Sequence, residues 1–423
     1  MILDRRAVLK LSAALGAASL ESCSRSPEAV RVWAMGVEGE ALGAFAKSFT
    51  ESSRGTDVVV QALPWSAAHE KLLTAFAADN LPDIIALGNT WIPEFAAVNA
   101  LEPLDSYVSA NKTDYETDFS AARQSVTIDG QLFGLPWYVD TRLLFYRSDL
   151  LKKAGFDQVA ATRAGWDEQL AALSGAHRPG RYGVLMPVNE YEPLVAFCLQ
   201  ADAPLLVDDA TRGGFQQRSV RDSFAYVASL YRRGFAAVVT NTQVPDIYSA
   251  FARGEFAFLI SGPWNLGEFS RRLPVHLQDS WATAPLPGPA GPGASLSGGV
   301  SLCLTRASRN KTRAFAFISY LRTLRQQSAF YRLTGDLPAD QAAWTITGLM
   351  RDPRSKAFYD QLQIAKPAPP APEWERIANE MAATLERVVR GVQPLDAALA
   401  RLDRFSDDVL AKRRWFLKRE AGA

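Results

Sequence analysis

Several things are scarce in this 423-residue chain, and each scarcity excludes something. It has three cysteines and three histidines. No two of them fall at Cys-x-x-Cys or clustered Cys/His spacing, which argues against a structural zinc site. Neither Gly-x-Ser-x-Gly nor His-Glu-x-x-His occurs, so two sequence marks of hydrolytic enzymes are missing. Nothing in the sequence calls for a cofactor or a metal. Charge of one sign is not in excess either. Lys and Arg number 46 against 45 Asp and Glu, a net charge of +1, which removes the electrostatic case for nucleic acid as a partner. No apolar run reaches the roughly 20 residues that a membrane-spanning helix needs.

The front of the chain, "MILDRRAVLKLSAALGAASLESC", puts Arg5, Arg6 and Lys10 ahead of a short run of small and apolar residues, Leu11 to Leu20. Residues 1–23 read as an export signal rather than as part of the fold. "DRRAVLK" resembles the twin-arginine export pattern, with Asp4 where Ser or Thr is commoner and Val8 where Phe is. "LESC" resembles a bacterial lipoprotein box, with Cys23 as the lipidated residue and Glu21 unusual within it. A plain signal peptide cut nearby is the other reading. Cys198 and Cys303 remain, each in an apolar segment ("AFCLQ", "VSLCL"), the setting of an unpaired buried thiol.

What is present is an α/β rhythm. "AVRVWAM", "TDVVVQALP" and "PDIIALG" read as strands. Between them, "GEALGAFAKSFTESS" carries Leu42, Phe45, Ala46 and Phe49 at helical spacing. "SAAHEKLLTAFAADN" buries Leu72, Leu73 and Phe76, with Ser66 as its expected N-cap. Strand and helix in alternation predict a largely parallel sheet. Further on, "GQLFGLPWYVDTRLLFYRSDLLKKAG" predicts two strands and a helix, and "FAFLISG" a buried strand. "KTRAFAFISYLRTLRQQSAFYRLTG" predicts one long amphipathic helix stopped by Gly335. "AKPAPPAPEW" predicts a stiff extended segment. With 423 residues, two or three lobes are expected.

In open α/β sheets, ligands sit beyond the carboxyl ends of strands. The predicted strands deliver a repeating set of residues there. The first leads to Glu38, the second to Trp65 and His69, the third to Asn89, Thr90 and Trp91. "LFGLPWYVDTR" leads to Tyr138, Asp140 and Arg142. "YGVLMPV" leads to Glu190, Tyr191 and Glu192. "FAFLISGP" ends at Trp264, and "ASLSGG" brings Gly298 and Gly299. Large aromatics thus recur beside carboxylates, amides and a guanidinium. That pairing suits a polyhydroxylated ring, whose C–H face packs on an aromatic plane and whose hydroxyl rim takes bidentate polar groups. Any one of these residues also fits an ordinary loop or core role, and Trp137, Trp166, Trp344 and Trp415 are left with that bland reading.

"VRVWAMGVEGEAL", "LPDIIALGNTWIPEFAAVNALEPLD", "LFGLPWYVDTRLLFYRSDLLKKAG", "FARGEFAFLISGPWNLGEF" and "SGGVSLCLT" occur in an order that resembles the extracellular solute-binding proteins of sugar ABC importers, the maltose-binding-protein family. The resemblance implies an α/β fold of two discontinuous lobes joined by hinge strands, with the ligand between them. It divides the chain into residues 29–140 plus 299–337 and residues 141–298 plus 338–420. It implies that Trp264 lies under a sugar ring, that Asp140 binds hydroxyls, and that Glu190, Tyr191 and Glu192 form an acidic-aromatic site of the second lobe. Trp374 aligns with another stacking position. Glu38 stands where maltose-binding protein has a lysine. Asn89, Thr90 and Trp91 fit the trehalose/maltose and oligosaccharide branch better. The implied partners are a small carbohydrate, leaning to an α-glucoside such as trehalose or maltose, and ABC permease subunits. The implied protein is a periplasmic monomer, held at the membrane by a lipid on Cys23. Two rivals stay open: a sugar receptor for a membrane sensor, and an exported glycosidase using a carboxylate pair such as Asp140 and Glu190 across one bond.

Overall fold

The computed structural model describes residues 29–53, 56–175 and 180–420. The export signal, Cys23 and His177 lie outside the described residues. Fourteen strands follow in chain order: β1 Val30–Met35, β2 Val58–Leu63, β3 Ile84–Gly88, β4 Thr127–Ile128, β5 Gln131–Leu132, β6 Leu135–Thr141 and β7 Leu143–Arg147, then β8 Tyr182–Leu185, β9 Leu206–Val207, β10 Arg212–Gly213, β11 Phe256–Ser261, β12 Trp281–Ala284, β13 Ser297–Leu304 and β14 Leu337–Pro338. Six of them form one sheet in the order β14-β6-β13-β3-β1-β2, and four form a second in the order β12-β7-β11-β8.

The first sheet begins with the parallel trio expected from the rhythm: β1 pairs parallel with both β2 and β3. β1 and β3 are apolar almost throughout because both of their faces are covered, as parallel strands require. The helix Gly36–Ser52 buries Leu42, Phe45, Ala46 and Phe49, the residues singled out by spacing. The helix Trp65–Ala77 buries Ala68, Leu72 and Ala75, and Leu73 and Phe76 pack at the margin of the same core. Its N-cap is Pro64 rather than Ser66. Pro64 holds extended backbone at φ −67° and ψ 135°, so the helix starts two residues earlier than expected and Trp65 becomes its first residue.

The chain passes between the two sheets three times. β6 belongs to the first and β7 to the second, with Arg142 as the single residue between them. The loop from β12 to β13 returns the chain to the first sheet. After β14 it leaves again: the helix Pro353–Gln363 packs on β12, where Thr283 donates to the Arg354 carbonyl at 2.7 Å. The helix Trp374–Val389 packs on the helix Tyr191–Cys198. One apolar core lies around the first sheet and another on the far side of the second. A third straddles the crossings, joining Val139 and Leu337 to Leu143, Phe145, Trp344 and Phe358.

Two further expectations need correcting. The long helix is two helices, Lys311–Arg322 and Leu324–Thr334. Thr323 is extended, and its side chain accepts from the Gln326 backbone N–H, so it caps the second helix in the middle of an otherwise periodic stretch. Arg322, at the break, turns inward to an ion pair of 2.8 Å with the buried Asp118. Burial there pushes the Asp118 carboxyl up to about 6, against the pull of Arg322. Trp415, left as an ordinary loop or core aromatic, is instead 52% exposed on a helix. Cys198 and Cys303 are free and buried as expected, and burial raises both thiols.

Gly299 marks the tightest backbone approach of the first sheet. Its φ is +110°, and a Cβ there would sit 2.3 Å from the Tyr138 carbonyl oxygen and 2.8 Å from the Val139 Cα. Gly299→Ala is therefore expected to lower unfolding stability by about 2–4 kcal/mol, read from the shift of a denaturant midpoint.

Candidate functional site

A cavity of about 500 Å³ opens along the crossings. The ends of β1, β3, β6 and β13 supply one side of it, with Glu38, Asn89, Asp140, Gly298 and Gly299. Trp65 and Trp91 form an aromatic corner on that side, edge to face at 5.7 Å, and Gly88 packs under both rings. Pro263 and Trp264 come from the end of β11, Tyr191 and Glu192 from the helix Tyr191–Cys198, and Glu375 from the helix Trp374–Val389. Trp65 is 41% and Trp264 47% exposed. Large apolar side chains that face a cavity rather than a core are available to a ligand.

Arg142 ties this set together. Its guanidinium donates to Asp140 at 3.0 Å and to Glu192 at 2.9 Å, and it lies over the Trp264 ring, 4.6 Å from the centroid. Trp264 itself opens the helix Trp264–Arg272, whereas the strand stops at Ser261. The indole folds back onto Gly262, where a Cβ would come within 2.1 Å of the ring. Glycine is needed there so that the ring can lie flat on backbone. One bond spans the cavity: the Thr90 hydroxyl donates to Glu375, which also accepts from the Tyr191 hydroxyl on its own side at 3.0 and 3.2 Å. Beyond Asn89 and Thr90 lies a smaller cavity of about 280 Å³, walled by Pro367, Pro369 and Pro370 of the extended proline segment.

Carboxylates outnumber cations in this cleft. Glu38, Asp140, Glu192, Asp336 and Glu375 line it, and Arg142 is the guanidinium among its lining residues. Burial raises the Glu38 carboxyl, although the Trp65 indole N–H beside it pulls the other way. Burial likewise raises Asp140, opposed by Arg142. Burial also pushes Asp336 up to about 7, with Glu38 and Asp140 adding repulsion. One oxygen of Glu38 and one of Asp336 are shielded and have no hydrogen-bond partner. For Arg142, burial favours the neutral form, but Asp140 and Glu192 outweigh it and the guanidinium is held more firmly charged.

The sequence profile of the bacterial extracellular solute-binding proteins matches residues 44–349. The chain belongs to that family. Among solved structures, it is similar to the sugar-binding protein MalE from the phytopathogen Xanthomonas citri, with 44% identity and a TM-score of 0.89 over 92% of this chain and 99% of that one. Among curated proteins, it is similar to the diacetylchitobiose binding protein DasA of Streptomyces coelicolor, 22% identical over 84% of this chain and 83% of that protein. It is also similar to a maltotriose-binding protein of Pyrococcus abyssi, 22% identical over 80% and 72%.

In this solute-binding protein, most of the residues picked out at strand ends line the one cavity: Glu38, Trp65, Asn89, Thr90 and Trp91, then Tyr138, Asp140 and Arg142, then Tyr191, Glu192 and Trp264, with Gly298 and Gly299. His69, Glu190 and Trp374 do not line it. The His69 Nε2 lies 2.6 Å from Glu94, and its ring packs at 5.0 Å on Trp91, so it supports that indole from behind. Glu190 immediately precedes the helix carrying Tyr191 and Glu192, and its carboxylate faces Asn241. Trp374 is fully buried in the core of the second sheet's side. It is the first residue of its helix, and the next residue, Glu375, turns to the cavity instead. Glu375 and Asp336 were missed. "PEWE" offered both aromatic and acid, and only the phase of the helix chooses between them. Asp336 directly follows Gly335, which drew attention only as the stop of a helix.

An acid held above its ordinary value stabilises the fold at low pH. With Asp336 near 7 when folded and about 3.9 when unfolded, the folded state binds the proton more tightly. The advantage is complete below about pH 4 and is lost as pH rises through 7. Asp336→Asn in the unliganded protein is therefore expected to raise the thermal midpoint by a few degrees at pH 8 and to change it little at pH 4. Melting curves at the two pH values read the difference.

Proposed function

We propose that this solute-binding protein is the sugar-binding component of an ABC importer, taking a di- or oligosaccharide in the cleft and closing on it. The observation that carries the reading is the cavity itself, where exposed indoles face a belt of carboxylates, amides and one guanidinium. Indoles offer flat apolar area to the C–H face of a pyranose, and the polar belt matches its hydroxyls. The 44% identity to the sugar-binding MalE supports it. The substrate class leans to α-glucosides such as trehalose or maltose, in keeping with the maltotriose-binding relative.

Trp65 and Trp264 are the stacking platforms, Glu38, Asp140, Glu192 and Glu375 the hydroxyl acceptors, and Arg142 and Asn89 the donors. Residues 29–140 with 299–337 form one lobe and residues 141–298 with 338–420 the other. Sugar bridging the two shifts the population to the closed form, which a permease then recognises. The protein acts as a monomer, exported and held at the membrane by lipidated Cys23, and it returns its ligand unchanged. Two features favour binding over hydrolysis. Asp140 and Glu192 both bond to one guanidinium, so neither stands free across a glycosidic bond as the carboxyl pair of a glycosidase must. Glu190, the other partner weighed for Asp140, does not line the cleft.

Calorimetry against trehalose, maltose and longer maltodextrins tests the reading. Trp65→Ala and Trp264→Ala are each expected to weaken binding by ~10- to 100-fold, the loss of one stacked aromatic face, with the thermal midpoint of the unliganded protein nearly unchanged. Unchanged affinity in both variants, or turnover of a chromogenic glycoside, would remove the proposal.

A further inference from the structure

The helix Ala411–Glu420 has no part in the cleft, and its sequence, "AKRRWFLKRE", is unlike the rest of a nearly neutral chain. Its two sides do different things. Arg413, Arg414 and Leu417 are half-buried against the body, where Arg414 donates to the Thr211 carbonyl at 2.6 Å and to the Asp407 carbonyl at 3.1 Å. Lys412, Trp415, Phe416, Lys418 and Arg419 are exposed. At about 100° per residue these five fall on one outward arc.

We propose that this outward face is a docking surface for an anionic phospholipid membrane. Trp415 and Phe416 are 52% and 47% exposed and pack edge to face at 5.0 Å, giving a two-ring apolar knob on the surface. The knob is rimmed by cations: Arg419 lies 4.7 Å from the Trp415 centroid and Lys412 lies 5.7 Å from that of Phe416. An apolar partner alone would be met by the knob but repelled from the charges, and a plain polyanion would leave both rings in water. A bilayer surface takes both, because aromatic rings settle at the headgroup level and basic side chains gain from anionic headgroups. With the chain as a whole at +1, a local cluster of this kind also orients the molecule as it approaches a negative surface. Two acids lie to one side: Asp208 and Asp209 line a groove with Lys418, and Asp208 is paired to Arg212 at 3.3 Å. The docking surface is independent of the sugar reading and stands or falls without it.

The test is co-sedimentation of the full chain with vesicles of phosphatidylglycerol and phosphatidylcholine, against vesicles of phosphatidylcholine alone. Every variant is made in the full chain, so that residues 1–23 contribute equally to all. Binding to the anionic vesicles is expected to fall roughly 100-fold in the triple variant Lys412→Gln, Lys418→Gln, Arg419→Gln, at about 1 kcal/mol per basic residue, and to fall similarly in high salt. Trp415→Ser with Phe416→Ser should cost about tenfold or more. The thermal midpoint should stay at the parent value in each variant, which shows that they are folded. Should a variant fail to fold, bromolipid quenching of the parent protein's tryptophan emission, lost in Trp415→Phe, gives the same answer. Equal binding of parent and triple variant, equal binding to neutral vesicles, or no binding at all overturns the proposal. So does a variant that keeps vesicle binding but loses capture by membrane-embedded permease, since the face would then dock protein.

Discussion

Arg142 is the residue on which this architecture turns. It is the one residue between β6 of the first sheet and β7 of the second. Its backbone carbonyl accepts from Ser295 at 2.7 Å, binding the first crossing to the second. Its side chain joins a carboxylate from the first sheet to a carboxylate from the helix beside the second, and it lies on Trp264. A guanidinium can do this because its planar fork bonds at its edges while its face stacks. The arrangement sets the relation of the two sheets and fills one wall of the cleft with the same group. It also means that the Trp264 ring is covered by a protein cation. A sugar seated on that face takes the place of the guanidinium, while Trp65 offers its surface without displacing an ion pair.

The cleft is also a place of uncompensated charge. Glu38 and Asp336 each hold a shielded oxygen with no partner, and such groups are costly when they are left alone. A polyol brings hydroxyl donors to these oxygens without bringing charge, so ligand contacts there satisfy atoms that the protein leaves unpaired. The Asp336 carboxyl, poised near neutrality by burial, can present either an acceptor or an O–H to the ligand. The unliganded cleft is thus preorganised at some cost in stability, the usual relation between a binding site and the fold that carries it.

Much of this was legible in the sequence because strand ends are legible. Apolar runs of strand length stop at Gly or Pro, and in an α/β fold those stops mark the cleft. The strand-end readings found Glu38, Trp65, Asn89, Asp140 and Trp264 without any contact information. Residues on helices were harder. Trp374 and Glu375 are neighbours, and only their position in the first turn decides that the indole is buried and the acid faces the cavity. Likewise the apolar period of residues 311–334 runs on through Thr323, yet one extended residue divides it, because a threonine hydroxyl can cap a new helix where the chain must turn. His69 and Glu190 were expected in the site and do not line it, because proximity along the chain does not say which way a side chain points.

The hydrogen bond from Thr90 to Glu375 crosses the cleft near the proline-walled chamber behind Asn89 and Thr90, and Tyr191 holds Glu375 from its own side. A guest held in the larger chamber alone leaves that bond intact, whereas one long enough to enter both chambers would have to part the Thr90 hydroxyl from Glu375. Passage between the chambers is thus tied to one bond, apart from the chemistry that would recognise each ring.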